Sequence, residues 1–256
     1  MSYTNELRKK IVLTAYNAGE GHIASALSIV DILWMLYDKI LTSDDRFILS
    51  KGHGSLALYV VLAAKGFITE EQLASFGKFD SILGGHPDRN KISGVLASTG
   101  SLGHGLPQAV GLALAKKIKN QPGRVFCLIG DGECNEGSIW ESCLITAHHK
   151  LDNLTVIVDN NHSTDRAINL DDISKKFLAF GFSTYSNVSV DSPPPGEPSA
   201  LSFALRDGFR FERTVAIIAN TTKGKGCARM ADPAWHRRTP NEQELAEIMK
   251  ELCESN

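Results

Sequence analysis

Gly130-Asp131-Gly132 closes the apolar run Val125-Phe126-Cys127-Leu128-Ile129, and Asn160-Asn161 closes a second run, Leu154-Thr155-Val156-Ile157-Val158-Asp159. A carboxylate, an amide oxygen and a nearby backbone carbonyl form a hard, oxygen-only and incomplete metal shell. Such a shell suits Mg²⁺, which keeps several waters and is completed by substrate phosphates rather than enclosed by protein. The glycines beside Asp131 let a diphosphate approach the backbone and the start of a following helix, where free amide N–H groups favour an anion. Asp131 or Asn161 alone also reads as a turn cap. Together, at the ends of consecutive strands, they favour the metal reading.

Histidines form the second group. His22 closes Ala18-Gly19-Glu20-Gly21-His22, His53 lies in Ser50-Lys51-Gly52-His53-Gly54, and His86 lies in Gly84-Gly85-His86-Pro87. Each directly follows a glycine. A fourth, His236, follows Trp235, and the glycine-rich turn Ser98-Thr99-Gly100-Ser101-Leu102-Gly103-His104-Gly105 precedes a helix rich in small residues.

The elements that must position these residues are legible in the apolar pattern. Continuous apolar runs at 125–130 and 154–159, separated by a helix over 138–149, predict a parallel βαβ unit. A third run, Val215-Ala216-Ile217-Ile218-Ala219-Asn220, also ends in a polar, glycine-rich segment, and 46–50 reads as a short strand. Helices are expected over 5–18, 24–37 and 107–117. Capping boxes are expected at Thr69–Gln72 and at Thr239-Pro240-Asn241-Glu242, the second with proline at the first helical position. The predicted fold is α/β, a doubly wound and mainly parallel sheet flanked by helices, as a single domain over 1–256. Asp191-Ser192-Pro193-Pro194-Pro195-Gly196-Glu197-Pro198 reads as a surface loop. Ligands of open parallel sheets bind at the carboxyl ends of the strands. Neighbouring strands lie ~4.8 Å apart, so Asp131 and Asn161 are expected within a few ångströms of each other.

Composition narrows the function. The chain has 256 residues, 43% hydrophobic and 22% charged, enough for a large core, and its net charge of −2 offers no footprint for nucleic acid or an anionic membrane. Lys116-Lys117 reads as part of a solvated face. Cys127, Cys134, Cys143, Cys227 and Cys253 are odd in number and contain no C-x-x-C pair, which points to reduced thiols rather than a disulfide framework or zinc site. With no signal-peptide pattern and no membrane-spanning apolar run, the expected location is the cytoplasm.

The Gly130-Asp131-Gly132 and Asn160-Asn161 pair resembles the thiamine-diphosphate motif, and the histidine segments resemble, in order and context, those of the transketolase family. The resemblance covers essentially the whole chain. It implies that Asp131, the Asn161 side chain and the Ser163 carbonyl hold Mg²⁺ against the diphosphate of thiamine diphosphate. It implies that His22 and His86 contact sugar hydroxyls, and that His53 lies near the diphosphate. Gly100, Leu102, Gly130 and Gly132 are implied cofactor contacts. His236 resembles a late family histidine that reaches the diphosphate and the reacting carbonyl. Glu136 and Glu141 resemble glutamates that link paired active sites, Glu141 equally reading as a solvated helix carboxylate. Ile23, where the family often has proline, His162–Arg166 and Arg237 depart from the family pattern.

In that family a carboxylate from a second, pyrimidine-binding domain activates the cofactor, and no second α/β pattern is visible here. The expectation is a split transketolase. This subunit would work with a C-terminal, pyrimidine-binding partner in an α₂β₂ heterotetramer, moving a two-carbon ketol unit between sugars or sugar phosphates. Two other readings stay open. One is a different thiamine-dependent reaction, such as 1-deoxyxylulose-phosphate synthesis or 2-oxoacid decarboxylation. The other is a non-catalytic cofactor-binding or regulatory subunit.

Overall fold

The structure, a computed structural model, describes residues 3–191, 199–210 and 213–254. Along the chain, α1 (Tyr3–Ala18) and α2 (Ile23–Met35) lead through a π-helical turn, Leu36–Ile40, to β1 (Arg46–Leu49). Next come α3 (Ser55–Ala64), α4 (Glu70–Ala74), α5 (Gly105–Ile118), β2 (Val125–Gly130), α6 (Gly137–His148) and β3 (Leu154–Asn160). The remainder holds α7 (Ile173–Ala179), β4 (Ser183–Ser189), α8 (Ala200–Asp207), β5 (Val215–Asn220) and α9 (Glu242–Glu254). The chain divides into two compact units, one within Met1–Asp38, Gly52–Gly100 and Thr222–Asn256, the other within Lys39–Lys51 and Ser101–Thr221.

The second unit holds the sheet. Its strands run in the order β1-β2-β3-β5-β4, every pairing parallel, and helices flank them. Every residue of β2 is buried, as are all of β3 but Asn160 and all of β5 but Asn220. These are the continuous apolar runs of the sequence, and covering both faces is what such runs require. A fully buried Ile or Leu of this kind contributes about 1.5–3 kcal/mol relative to an exposed one. Because the strands are parallel, Ser50, Asp131, Asn161 and Thr221 leave the same edge of the sheet.

The first unit is helical. From Ile23 to Leu33, α2 is buried at every position but Asp31, and it packs against α1 and α3. A helix apolar on all sides needs such cover. Asp31 is matched by Arg8 of α1 and by Lys225, whose Nζ lies 2.9 Å away. That charge triad ties the segment after Thr221 to the helices, as does the Gly224 N–H donating to the Ala24 carbonyl at 3.0 Å.

Several expectations change in detail. The Thr69–Gln72 capping box forms as expected, with reciprocal bonds of 2.8 and 3.2 Å. The second box forms two residues later: the Glu244 N–H donates to Asn241 Oδ1, and the Asn241 N–H donates to Glu244 Oε2, each at 2.9 Å. Asparagine caps as well as threonine does, and Glu244 stands three residues after it. Lys116 is not on a solvated face. It is buried, donating to the Asp44 carbonyl at 2.9 Å, while Lys117 pairs with Asp152 at 2.8 Å. The reading of 191–198 as a surface loop falls, from Ser192 onward, outside the described residues.

Candidate active site

In the helical unit four imidazoles converge. Ring centroids lie 5.2 Å apart for His22 and His236, 5.6 Å for His22 and His53, 6.2 Å for His22 and His86, and 6.0 Å for His53 and His236. Each is placed by a different device. His22 is the N-cap of α2, its carbonyl accepting the Ala26 N–H at 3.0 Å while its side chain makes no capping bond. The ring is thereby left to the cluster. His53 sits in the tight turn Gly52–Gly54 that opens α3. That turn packs on the Thr99–Gly100 backbone so closely that a Cβ at Gly52 would lie 2.7 Å from the Thr99 carbonyl carbon, a contact only glycine allows. The loop carrying His86 is tethered by the Tyr59 hydroxyl, donating to the Gly84 carbonyl at 3.0 Å, and by the Ser55 hydroxyl, donating to Gly85 at 2.8 Å. Gly100 lies against the His86 ring, 3.1 Å separating its would-be Cβ from Cδ2. His236 follows the turn Pro233–Trp235, anchored by buried Trp235, over whose ring the Arg238 guanidinium lies at 4.3 Å.

The cluster sets its own protonation. Burial, then the neighbouring His236, Arg237, His86 and Lys223, lower the pKa of His22 from 6.5 to about 4. At neutral pH its ring is therefore uncharged, with one nitrogen donating and one accepting. The Lys223 ammonium lies 3.5 Å from His236 Nδ1. An ammonium only donates, so Nδ1 accepts and the proton of neutral His236 sits on Nε2. A histidine NMR titration should give His22 a midpoint near pH 4. Since the unfolded ring titrates near 6.5, the folded state loses this contribution to stability as pH falls from about 6.5 towards 4. A His22 midpoint near 6.5 would contradict the desolvation.

In the sheet unit, the ends of β2 and β3 are joined as their register requires. Asp131 Oδ1 accepts the Gly132 N–H at 2.8 Å and Oδ2 the Ser163 N–H at 3.2 Å, while the same Ser163 N–H reaches Asn161 Oδ1 at 3.1 Å. Asp131, Asn161 and Ser163 thus share one hydrogen-bonded turn. His162 supplies the reversal in the left-handed conformation, φ 59°, so the atypical segment after Asn161 still returns to Asp131. Burial, and next to it the Asp159 charge, raise the Asp131 pKa; the Gly132 and Ser163 amides and Lys51 oppose them. Leu102 lies in a turn fixed by the Gly103 N–H donating to Glu133 Oε1 at 2.8 Å and by the Ser138 hydroxyl donating to the Gly103 carbonyl at 2.8 Å. Glu136 is exposed at the N-cap of α6 and makes no capping bond, and Glu141 is exposed one turn on.

The structure adds residues that sequence reasoning missed. Lys51 and Asp159 form a buried ion pair, joined by the Thr221 hydroxyl donating to Asp159. Glu133 is buried, with the Ser50 hydroxyl at 2.7 Å, the Gly103 N–H at 2.8 Å and the Gly130 N–H at 3.0 Å. Those bonds tie the ends of β1 and β2 to the turn carrying Leu102, against the burial that raises its pKa. Lys223 joins the histidine cluster from the polar segment that follows β5; that segment was the one signal of its presence. Among the described residues no group of three or more His, Cys, Asp or Glu is arranged to hold a metal, so any metal here rests on a mixed oxygen set.

The parallel α/β sheet thus gathers an aspartate, an asparagine amide and a serine backbone N–H at its carboxyl edge. A sequence profile described as "Transketolase, thiamine diphosphate binding domain" matches residues 2–253, and the chain belongs to the transketolase family. It is 37% identical over 262 residues to one of the subunits of the apulose-4-phosphate transketolase of Phocaeicola vulgatus, covering 96% of this chain and 91% of that protein. It is 38% identical over 260 residues to a protein of the same name from Actinobacillus succinogenes, covering 96% and 92%. Among solved structures it resembles the transketolase of Campylobacter jejuni, with a TM-score of 0.85 and 26% identity over 99% of this chain. It spans only 42% of that longer protein.

Proposed function

We propose that this chain is the thiamine-diphosphate- and Mg²⁺-binding subunit of a two-component transketolase. The enzyme transfers a two-carbon ketol unit from a ketose, free or phosphorylated, to an aldose acceptor. The observation that carries this reading is the imidazole cluster of His22, His53, His86 and His236. A neutral imidazole offers one donor and one acceptor, which suits a row of hydroxyls better than it suits a simple oxoacid.

The donor set fits the cofactor. Asp131, the Asn161 amide oxygen and the Ser163 carbonyl are hard oxygen ligands of the kind Mg²⁺ takes. A divalent cation would also keep ionised a carboxylate that burial and Asp159 push towards protonation. His53, Gly100, Leu102, Gly130, Gly132 and His236 would contact thiamine diphosphate. When bound, that group supplies the nucleophile and the electron sink for breaking and making a carbon–carbon bond beside a carbonyl. His22 and His86 orient the donor's hydroxyls. His236, with its proton on Nε2, would donate to the donor's carbonyl oxygen and stabilise negative charge developing there.

The need for a partner is supported by the two bacterial relatives, each of which is named as one subunit of its enzyme and matches over nearly its full length. The partner would carry the pyrimidine-binding domain and the carboxylate that activates the cofactor, in an α₂β₂ assembly. Helix α6 exposes Leu144 and Ile145, 60% and 48% accessible, and a partner docking there would cover them. Glu136 and Glu141, exposed near the start of α6, would then lie at the interface between subunits and link paired sites. Four of the cysteines are buried, and all five are unpaired, in keeping with a reducing, cytoplasmic setting. Among the described residues no helix is long and apolar enough to cross a membrane.

The substrate assignment is tested by His86→Ala and His22→Ala. Each should lower kcat/KM for ketol transfer by roughly 10²–10⁴-fold, the scale of a positioned polar group at a reacting centre, with cofactor affinity nearly unchanged. A variant that instead loses the cofactor or unfolds would assign its histidine a structural role.

A further inference from the structure

Asp159 is the buried centre of the sheet's carboxyl edge. Its carboxylate is fully enclosed and pairs with the Lys51 ammonium, itself 2% exposed. The Thr221 hydroxyl, from the end of β5, donates to Oδ1, and Asn161 Nδ2 donates to Oδ2 at 3.0 Å. The Asp159 carbonyl accepts the Asp131 N–H at 3.1 Å. One residue thus touches both residues whose side chains are assigned to the metal, yet its own carboxylate oxygens are taken up by Lys51, Thr221 and Asn161.

We propose that Asp159, with its charge balanced by Lys51, is a positioning residue that fixes the Asn161 carboxamide with its oxygen presented to the metal. This rests on the cofactor reading above. An ionised carboxylate only accepts hydrogen bonds, so the amide atom facing it must be the NH₂. The oxygen is then turned to the opposite side, where the Ser163 N–H and Asp131 lie. Without Asp159 only the Ser163 N–H, shared with Asp131 Oδ2, holds the oxygen on that side, and a carboxamide rotated by half a turn presents NH₂, which cannot ligate a cation. Lys51 is part of the device because its ammonium donates to the same Asp159 carboxylate, which therefore meets Asn161 as an acceptor only.

The test uses the full chain, titrated calorimetrically with Mg²⁺ at saturating thiamine diphosphate, with melting temperatures taken in the absence of both. The variant Lys51→Met/Asp159→Leu removes the ion pair without stranding a charge. The variant Lys51→Met/Asp159→Asn is equally neutral but keeps an amide oxygen for Asn161 to donate to. The leucine variant should bind Mg²⁺ about 10–100-fold more weakly, as is typical on losing a partner that orients a ligand. The asparagine variant should stay close to wild type, with both melting near each other. Wild-type affinity in both variants, or equal weakening in both, would overturn the positioning role and leave the cofactor reading standing. Failure of the wild-type chain to bind Mg²⁺ with thiamine diphosphate would overturn that reading itself. Solvent exchange of the Asn161 Nδ2 protons in wild type gives a check independent of whether the variants fold. Protected protons are expected, and free exchange would contradict the bond to Asp159.

Discussion

Asp131→Ala should abolish Mg²⁺-dependent binding of thiamine diphosphate, whereas Asn161→Ala should weaken it. Of the three groups assigned to the cation, only the Asp131 carboxylate carries a full charge. It stands in a buried environment, where the attraction between a divalent ion and a carboxylate is far less screened than in water. Alanine at this position would also remove the side-chain acceptor of the Gly132 N–H and leave the Ser163 N–H to Asn161 Oδ1, loosening the turn that holds Ser163. An amide oxygen contributes a dipole rather than a charge, hence the smaller loss at Asn161. Calorimetric titration with and without a chelator measures both. Affinity like that of wild type in Asp131→Ala would remove the metal assignment.

The other large effect expected is the dependence of turnover on a second subunit. On the proposed reading, the residues that hold a diphosphate and Mg²⁺ and orient a sugar are on this chain. The carboxylate that activates the cofactor in this family lies in a pyrimidine-binding domain. The solved transketolase that matches 99% of this chain is long enough for the match to cover only 42% of it. The exposed Leu144 and Ile145 on α6 predict that Leu144→Asp/Ile145→Asp will weaken association with the partner while leaving the folded chain intact. A size-exclusion profile of the mixed subunits reads this directly.

How much of this was legible in the sequence follows physical lines. The bounds of β2 and β5 were readable to the residue because strands buried on both faces leave unbroken apolar runs. By contrast β4, Ser183-Thr184-Tyr185-Ser186-Asn187-Val188-Ser189, was missed. It is a polar edge strand, irregular between Tyr185 and Val188 and with Asn187 at φ 52°, so it has neither a continuous run nor a regular alternation. The convergence of Asp131 with Asn161 was readable because consecutive parallel strands fix where their ends lie. Lys51 with Asp159, and Ser50 with Glu133, were not, since those pairs join residues 108 and 83 positions apart and no local pattern marks them. Lys116 looked solvated because charge alone says nothing of a carbonyl waiting at Asp44. His236, whose local match to the family is loose, is placed beside His22 by the turn at Pro233–Trp235.

The most direct test of the central claim is a ketol-transfer assay of the purified chain with thiamine diphosphate and Mg²⁺, alone and after addition of the candidate pyrimidine-binding subunit. The chain alone is expected to show no turnover, and steady transfer of a two-carbon unit is expected once the partner is present. Steady turnover by the chain alone, at a rate the partner does not change, would contradict it.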